Sequence, residues 1–313
     1  MKAAETTETA GNPGEKAYRC GMVALVGRPN SGKSTLVNTV LEEHLCVVTP
    51  LPQTTRRVLR GIFTSKTMQI VFVDTPGMHL GDHTFNKNIV SQSSGVMRDQ
   101  GVDVIAYIVD LFREPGKEED IVAAKVAAAN RPVVVIFNKT DICPDCDGRI
   151  KAFFTRYPKL RGNPYIAITA TEKKARGKFI TAVLPFIPEG KPMYGEDDLT
   201  DADMRFFAAE YLHKAIILST REELPHASCI EILDYQESPE RHLVDAVIHV
   251  ETTGQRGILV GKNGAMIGRI RTIAEKELSQ LAGVKVIFRC HVKITPKWRD
   301  NPRFLNSMGY RAR

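Results

Sequence analysis

Eight residues constrain this chain more than any others: "GRPNSGKS", Gly27 to Ser34, which matches G-x-x-x-x-G-K-[ST]. The motif follows the apolar run "MVALV" and precedes a helical stretch, the strand–loop–helix setting in which such a loop becomes a phosphate cradle. Backbone N–H groups and the positive end of the following helix favour a polyphosphate there. The spacing assigns Gly27, Arg28, Pro29, Asn30, Ser31, Gly32, Lys33, Ser34 and Thr35 to the cradle, with Lys33 reaching the β and γ phosphates and Ser34 ligating Mg2+. The loop by itself does not choose between ATP and GTP, so the base is read elsewhere.

Two tetrapeptides supply the rest. "DTPG" (Asp74, Thr75, Pro76, Gly77) ends a buried-type strand and puts Asp74 near the metal, while the backbone N–H of Gly77 faces the γ-phosphate. "NKTD" (Asn138, Lys139, Thr140, Asp141) ends another. A carboxylate at Asp141 can accept both N1–H and the 2-amino group of guanine, a paired donor edge that adenine lacks, so GTP and GDP are the expected nucleotides. "ITAT" places Thr169 and Ala170 to back the guanine with main-chain groups. In "PQTTRR" (52 to 57), Thr55 is the expected switch ligand to Mg2+, with Thr54 as the alternative. The glutamine that many GTPases carry after the DxxG glycine is replaced by Met78, which cannot orient a water, so slow intrinsic turnover is expected. His79 is read as a surface loop residue.

Between 22 and 187 the runs "MVALVG", "VLRGIF", "MQIVFVDTPG", "DVIAYIVDL", "PVVVIFNKTD" and "YIAITAT" alternate with helical segments. This predicts an α/β domain with a mostly parallel six-stranded sheet and helices on both faces. The segment "PFIPEGKPMYGEDD" reads as a linker. Beyond it the pattern runs helix, strand, strand, helix, glycine loop, helix, strand. The expected organisation is a flexible tail over 1–18, a GTPase domain over 19–187, a linker over 188–200, a second domain over 201–298 and a basic tail over 299–313.

Charge separates the two ends of that second unit. The chain carries +7 overall, but residues 254–313 hold 13 Lys and Arg against 3 Asp and Glu, and residues 191–253 hold 5 against 14. A basic end behind an acidic stretch predicts a polyanion partner, nucleic acid or an anionic membrane surface. The longest apolar runs are far short of the roughly 20 residues that span a bilayer, and the first sixteen residues lack an apolar signal core. A cytosolic location is therefore expected, and its reducing chemistry argues against a disulfide framework for the six cysteines. "CPDC" (Cys143 to Cys146) stands without a second pair and is read as loop.

The second glycine loop, "GKNG" (Gly261, Lys262, Asn263, Gly264), lacks the Gly-Lys-Ser ending and leads into "AMIGRIRTIAEKEL", whose arginines oppose its apolar face. It resembles the GXXG loop of a KH domain, which clamps the backbone of about four unpaired nucleotides. Lys262, Arg269, Arg271, Lys297, Arg299 and Arg303 are the expected phosphate contacts. Ile258, Val260 and Ile267 are read either as a base groove or as core, and Trp298 either as a base stack or as an anchor for the tail.

From about Lys16 onward, "GRPNSGKST", "PQTTR", "DTPG" and "NKTD" in this order resemble the Era family of bacterial GTPases, with Thr169 where the usual serine stands. The resemblance implies a type II-like KH module, slow Mg2+-dependent GTP hydrolysis and K+ as an optional further ion, with Asn30 as its candidate ligand beside Lys33, Thr55 and Gly77 in the catalytic set. It further implies a monomer that binds the 3′ end of 16S rRNA during 30S subunit assembly and touches the inner membrane peripherally. Two other readings stay open: a non-switching RNA-binding assembly factor with structural GTP, and a membrane-surface GTPase whose basic tail meets anionic lipid.

Overall fold

The computed structural model describes residues 17–48, 59–74, 85, 101–220 and 224–310. Six strands form the first sheet: β1 (Arg19–Val26), β2 (Leu59–Thr64), β3 (Met68–Asp74), β4 (Val102–Asp110), β5 (Val133–Asn138) and β6 (Tyr165–Ala167). Their order is β2-β3-β1-β4-β5-β6, and every neighbouring pair is parallel except β2 with β3. All six strand-like runs of the sequence are recovered. Burial on both faces explains why these strands read as unbroken apolar runs. Val23 and Leu25 of β1 face one side and Ala24 and Val26 the other; β4 divides Ile108 from Tyr107 in the same way.

Helices α1 (Lys33–Leu41) and, further along, α4 (Lys174–Val183) cover the first face through Leu36, Val37, Val40, Phe179 and Val183. Helices α2 (Lys117–Ala127) and α3 (Cys146–Arg156) cover the second through Val122, Val126, Ile150 and Phe153. Cys146 is thus the first residue of a helix, where the sequence reads as loop. The Asp145 carboxylate accepts from Gly148 N at 3.0 Å and caps that helix.

The expected linker is bound along its length. Gln69, fully buried on β3, accepts from Met193 N (2.7 Å) and Tyr194 N (3.0 Å) and donates to Tyr194 O (2.9 Å). Ile62 N donates to Leu199 O at 2.8 Å, and Arg60 pairs with Asp201 at 2.6 Å. Composition marks this stretch as irregular, and it is; what fastens it is a glutamine more than a hundred residues away.

The second domain packs α5 (Met204–Ser219) and α7 (Ala265–Ala282) on a sheet of order β7-β8-β9. β7 (Cys229–Gln236) and β8 (Arg241–Val250) are antiparallel, and β9 (Lys285–Ile294) runs parallel to β8. The short α6 (Thr253–Val260) precedes the glycine loop, opened by a capping box between Thr252 and Gln255. Ile270, Ala274 and Leu278, four apart, form the buried stripe of α7. The basic tail is folded as far as Tyr310: α8 (Pro302–Ser307) returns Leu305, Met308 and Tyr310 against Trp298 and Cys229.

Candidate nucleotide and nucleic-acid sites

The phosphate loop leaves β1, Asp74 ends β3 and Asn138 ends β5, so three strands of one sheet deliver the first site to its carboxyl end, with β4 between β1 and β5. Gly32 has φ of 102°, a left-handed conformation that favours glycine. A β-carbon there would overlap the Asn138 side-chain amide. That amide donates to Ser31 O at 2.8 Å, while its oxygen accepts from Ala170 N at 2.8 Å. One buried asparagine therefore ties the phosphate loop to both base-side segments. Thr39 Oγ1 adds a bond to Ala170 O at 2.6 Å.

Lys33 is buried and points into the loop, donating to Arg28 O (3.0 Å) and Gly27 O (3.3 Å). Burial lowers its ammonium below the ordinary value, opposed by the Asp74 and Glu119 carboxylates. Ser34 Oγ donates to Asp74 Oδ2 at 2.8 Å, which brings together the hydroxyl and the carboxylate expected at the metal. Among the described residues the Ser31 hydroxyl is buried without a hydrogen-bond partner. A β-carbon at Gly27 would sit 2.6 Å from that hydroxyl, so backbone lines the cradle here. An inward lysine, a Ser–Asp pair and a cradle with no room for side chains fit a Mg2+-bound polyphosphate.

On the base side Asp141 is exposed, and Thr169 Oγ1 donates to Asp141 Oδ1 at 3.3 Å. Thr140 and Thr169 share a hydroxyl bond at 2.9 Å. Asn30 is exposed with φ of 61°, and Pro29 and Thr35 complete the loop and the first turn of α1. Thr54, Thr55, Thr75, Pro76, Gly77, Met78 and His79 lie outside the described residues.

Sequence reasoning missed three supports. Asp110, almost fully buried at the end of β4, binds Lys139 Nζ at 2.7 Å and so pins the NKTD loop. Glu119, in the first turn of α2, pairs with the buried Arg28 guanidinium and accepts from Tyr107 Oη. Burial pushes the Glu119 carboxyl up, opposed by Arg28. Arg28 Nη1 also donates to Glu114 O at 3.1 Å, so the cradle's second residue props the loop from behind. Phe85 is the third: it lies between Trp298 and Tyr310, edge-on to both, with centroids 5.1 and 4.8 Å away. An acidic residue directly after an apolar run was the available signal for Asp110; Glu119 and Phe85 carry none.

At the second glycine loop, Gly261, Asn263 and Gly264 have φ of 71°, 51° and 79°. A β-carbon on Gly261 would lie 2.7 Å from Met266 Cβ, so α7 packs directly on the turn, whereas one on Gly264 would meet open space. The loop therefore presents bare backbone outward, flanked by exposed Lys262, Asn263, Arg269 and Arg271. Arg271 also approaches Glu275 at 3.7 Å. Ile258 is 57% exposed, while Ile267 packs against the core. Lys297 and Arg303 are exposed. Arg299 is not free for phosphate: it is half-buried and its Nε donates to Glu251 at 3.0 Å, a tertiary ion pair that the local basic composition hides. Trp298 is fully buried and donates to Ala227 O at 3.1 Å, so it anchors the tail and does not stack on a base.

Together the fold and the two glycine loops define a P-loop GTPase joined to a KH domain. A model for 50S ribosome-binding GTPases matches residues 22–139 and one for KH domains matches residues 223–299. GTPase Era of Geobacter metallireducens is 34% identical over 95% of this chain and 99% of its own length. GTPase Era of Synechocystis is 35% identical over 94% and 93%. The chain belongs to the GTPase Era family. Among solved structures, Era in complex with MgGDPNP and nucleotides 1506–1542 of 16S ribosomal RNA superposes with a TM-score of 0.87 at 27% identity, covering 94% of this chain and 99% of that one. An Aquifex aeolicus Era variant bound to GDP and AlF4− gives 0.86 at 28%, covering 93% and 99%.

Proposed function

We propose that this protein is a GTP-hydrolysing switch whose KH domain binds the single-stranded 3′ end of 16S rRNA and assists 30S subunit assembly. One observation carries the coupling: the metal end of the nucleotide site and the first helix of the KH domain share a seam. Leu45, Cys46, Val47, Leu59 and Asp74 line a small cavity together with Phe206 and Glu210 of α5. Tyr211 Oη donates to His44 O at 3.4 Å beside it. A change at Asp74 therefore reaches α5 through direct packing, and α5 packs on α7, which carries the RNA arginines, where Lys214 pairs with Glu277 at 2.6 Å.

In this reading Mg-GTP supplies the γ-phosphoryl group. Lys33 binds the β and γ oxygens, and Ser34, Asp74 and Thr55 hold the Mg2+ side. Gly77 N–H holds the γ-phosphate, and Asp141, backed by Thr169 and Ala170, selects guanine. Thr55 and Gly77 are assigned on their sequence positions. Gly261 and Gly264 bring backbone to the RNA strand, and Lys262, Asn263, Arg269, Arg271 and Lys297 meet its phosphates. Arg299 acts through Glu251 in holding the tail. The domain boundaries near 187 and 201 follow the strap that Gln69 fastens.

Filter binding of single-stranded 16S 3′-end RNA in GDPNP and in GDP tests the coupling. A difference of at least fivefold is expected, and equal affinity would sink the switch in favour of an assembly factor with structural GTP. K+ near Asn30 takes the place of an arginine finger, so turnover in KCl is expected to exceed that in NaCl severalfold; equal rates remove that role. Among the described residues no helix is long and apolar enough to cross a membrane. Our reading is a cytoplasmic monomer with peripheral membrane contact, and RNA that competes the protein off anionic liposomes would place both ligands on the basic end.

A further inference from the structure

"CPDC" is the sequence motif that the nucleotide and RNA sites leave unused, and it sits one residue beyond Asp141 and Ile142. Cys143 and Cys146 are both half-buried, while Pro144 and Asp145 between them are exposed. Among the described residues no group of three or more His, Cys, Asp and Glu side chains could hold a metal ion. Cys146 is the first residue of α3, and its Sγ lies 3.8 Å from the Cys143 carbonyl oxygen, so the pair shares the turn that opens the helix. A C-x-x-C pair at a helix N-terminus is the spacing of dithiol redox sites, whose two sulfurs close into a disulfide.

The second observation ties the pair to the base-reading loop. Cys146 Sγ donates to Thr140 O at 3.7 Å and lies 3.8 Å from Cys143 O. Thr140 is in turn held by Ile168 O through its N–H (3.3 Å) and by Thr169 through its hydroxyl, and Thr169 donates to Asp141. The Cys146 thiol proton thus belongs to the network that positions the Asp141 carboxylate. A disulfide sulfur has no proton to donate, so oxidation withdraws that bond from Thr140 O.

We propose that Cys143 and Cys146 form a reversible dithiol–disulfide modification site whose oxidised form loosens the loop that carries Asp141 and weakens guanine-nucleotide binding. This rests on the reading of Asp141 as the guanine-selecting group. The oxidant is a low-molecular-weight disulfide such as glutathione disulfide. The Cys143 thiolate attacks one of its sulfurs, forming a mixed disulfide and expelling one glutathione thiolate. Cys146, whose thiol burial holds above its ordinary range, acts second. It gives its proton to solvent, attacks the Cys143 sulfur and expels the second glutathione. Two cysteine thiols are oxidised and one glutathione disulfide is reduced to two thiols. Vicinal pairs of this kind in a reducing compartment are transient and sensing, which suits a pair outside the catalytic machinery.

The test uses the full-length protein equilibrated in glutathione buffers from reduced to oxidised, then alkylated and mapped by mass, with Mg-GDP affinity measured in parallel. The expected result is loss of two hydrogens within the peptide holding both cysteines. GDP affinity is expected to fall about fivefold, the scale of one lost hydrogen bond, and to return on reduction with dithiothreitol. Cys143→Ser and Cys146→Ala should each bind GDP equally in both buffers. Alkylation of both residues in the oxidised buffer, with circular dichroism unchanged, overturns the site. So does a disulfide that leaves GDP affinity unchanged, or redox sensitivity that persists in Cys143→Ser, which retains Cys20, Cys46, Cys146, Cys229 and Cys290. Loss of GDP preference over ADP in the reduced wild-type protein would instead refute the Asp141 reading, and the mapped disulfide would still stand or fall by itself.

Discussion

Gly32→Ala is expected to lower Mg-GDP affinity about a hundredfold, measured by isothermal titration. Two effects add. The backbone at φ of 102° is one that L side chains adopt at a cost of about 1–3 kcal/mol. The new methyl also displaces the Asn138 amide, whose bonds to Ser31 O and Ala170 N contribute about 0.5–1.5 kcal/mol each. Their sum, on the order of 3 kcal/mol, corresponds to roughly two decades in affinity. Because Asn138 serves both loops, phosphate and base contacts weaken together, so GDP and GMP lose affinity in parallel. An affinity within threefold of wild type would show that the Asn138 bridge does not organise the site.

Trp298→Ala should destabilise the KH domain by about 3–5 kcal/mol, the usual cost of emptying a fully buried aromatic site. The indole N–H bond to Ala227 O goes as well, and Phe85, Phe304, Leu305 and Tyr310 lose a common neighbour. Urea unfolding followed by circular dichroism measures the loss. Phe85→Ala, alone and combined with Trp298→Ala, isolates the contact between the domains. A coupling energy of about 1 kcal/mol is expected from the edge-on ring pair. Strict additivity would mean that Phe85 and Trp298 are each buried without supporting one another.

Much of this molecule was legible because its chemistry is written in contiguous residues. The GTPase loops announce themselves within eight and four positions, and each follows a strand whose two-sided burial makes it an unbroken apolar run. The KH unit was legible through the order of its elements around "GKNG". The tail was less so, for a physical reason. Trp298, Arg299 and Tyr310 sit among basic, polar neighbours in sequence, yet Glu251, Ala227 and Phe85 wait for them in space. The linker misled in the same way: proline, glycine and acid residues mark an irregular path, but the buried Gln69 that holds it lies on β3.

The sequence by itself determined that a Mg2+-dependent guanine-nucleotide cradle and a GXXG nucleic-acid loop occupy one chain, since a few adjacent residues specify each. Tertiary structure alone decided what supports them: Asp110 on Lys139, Glu119 on Arg28, Asn138 across Ser31 and Ala170, α5 against the Asp74 cavity, and Cys146 on Thr140. The reason is topological. A mostly parallel sheet of order β2-β3-β1-β4-β5-β6 brings strand ends far apart in sequence to one end of the sheet, and partners that meet there need share no local pattern.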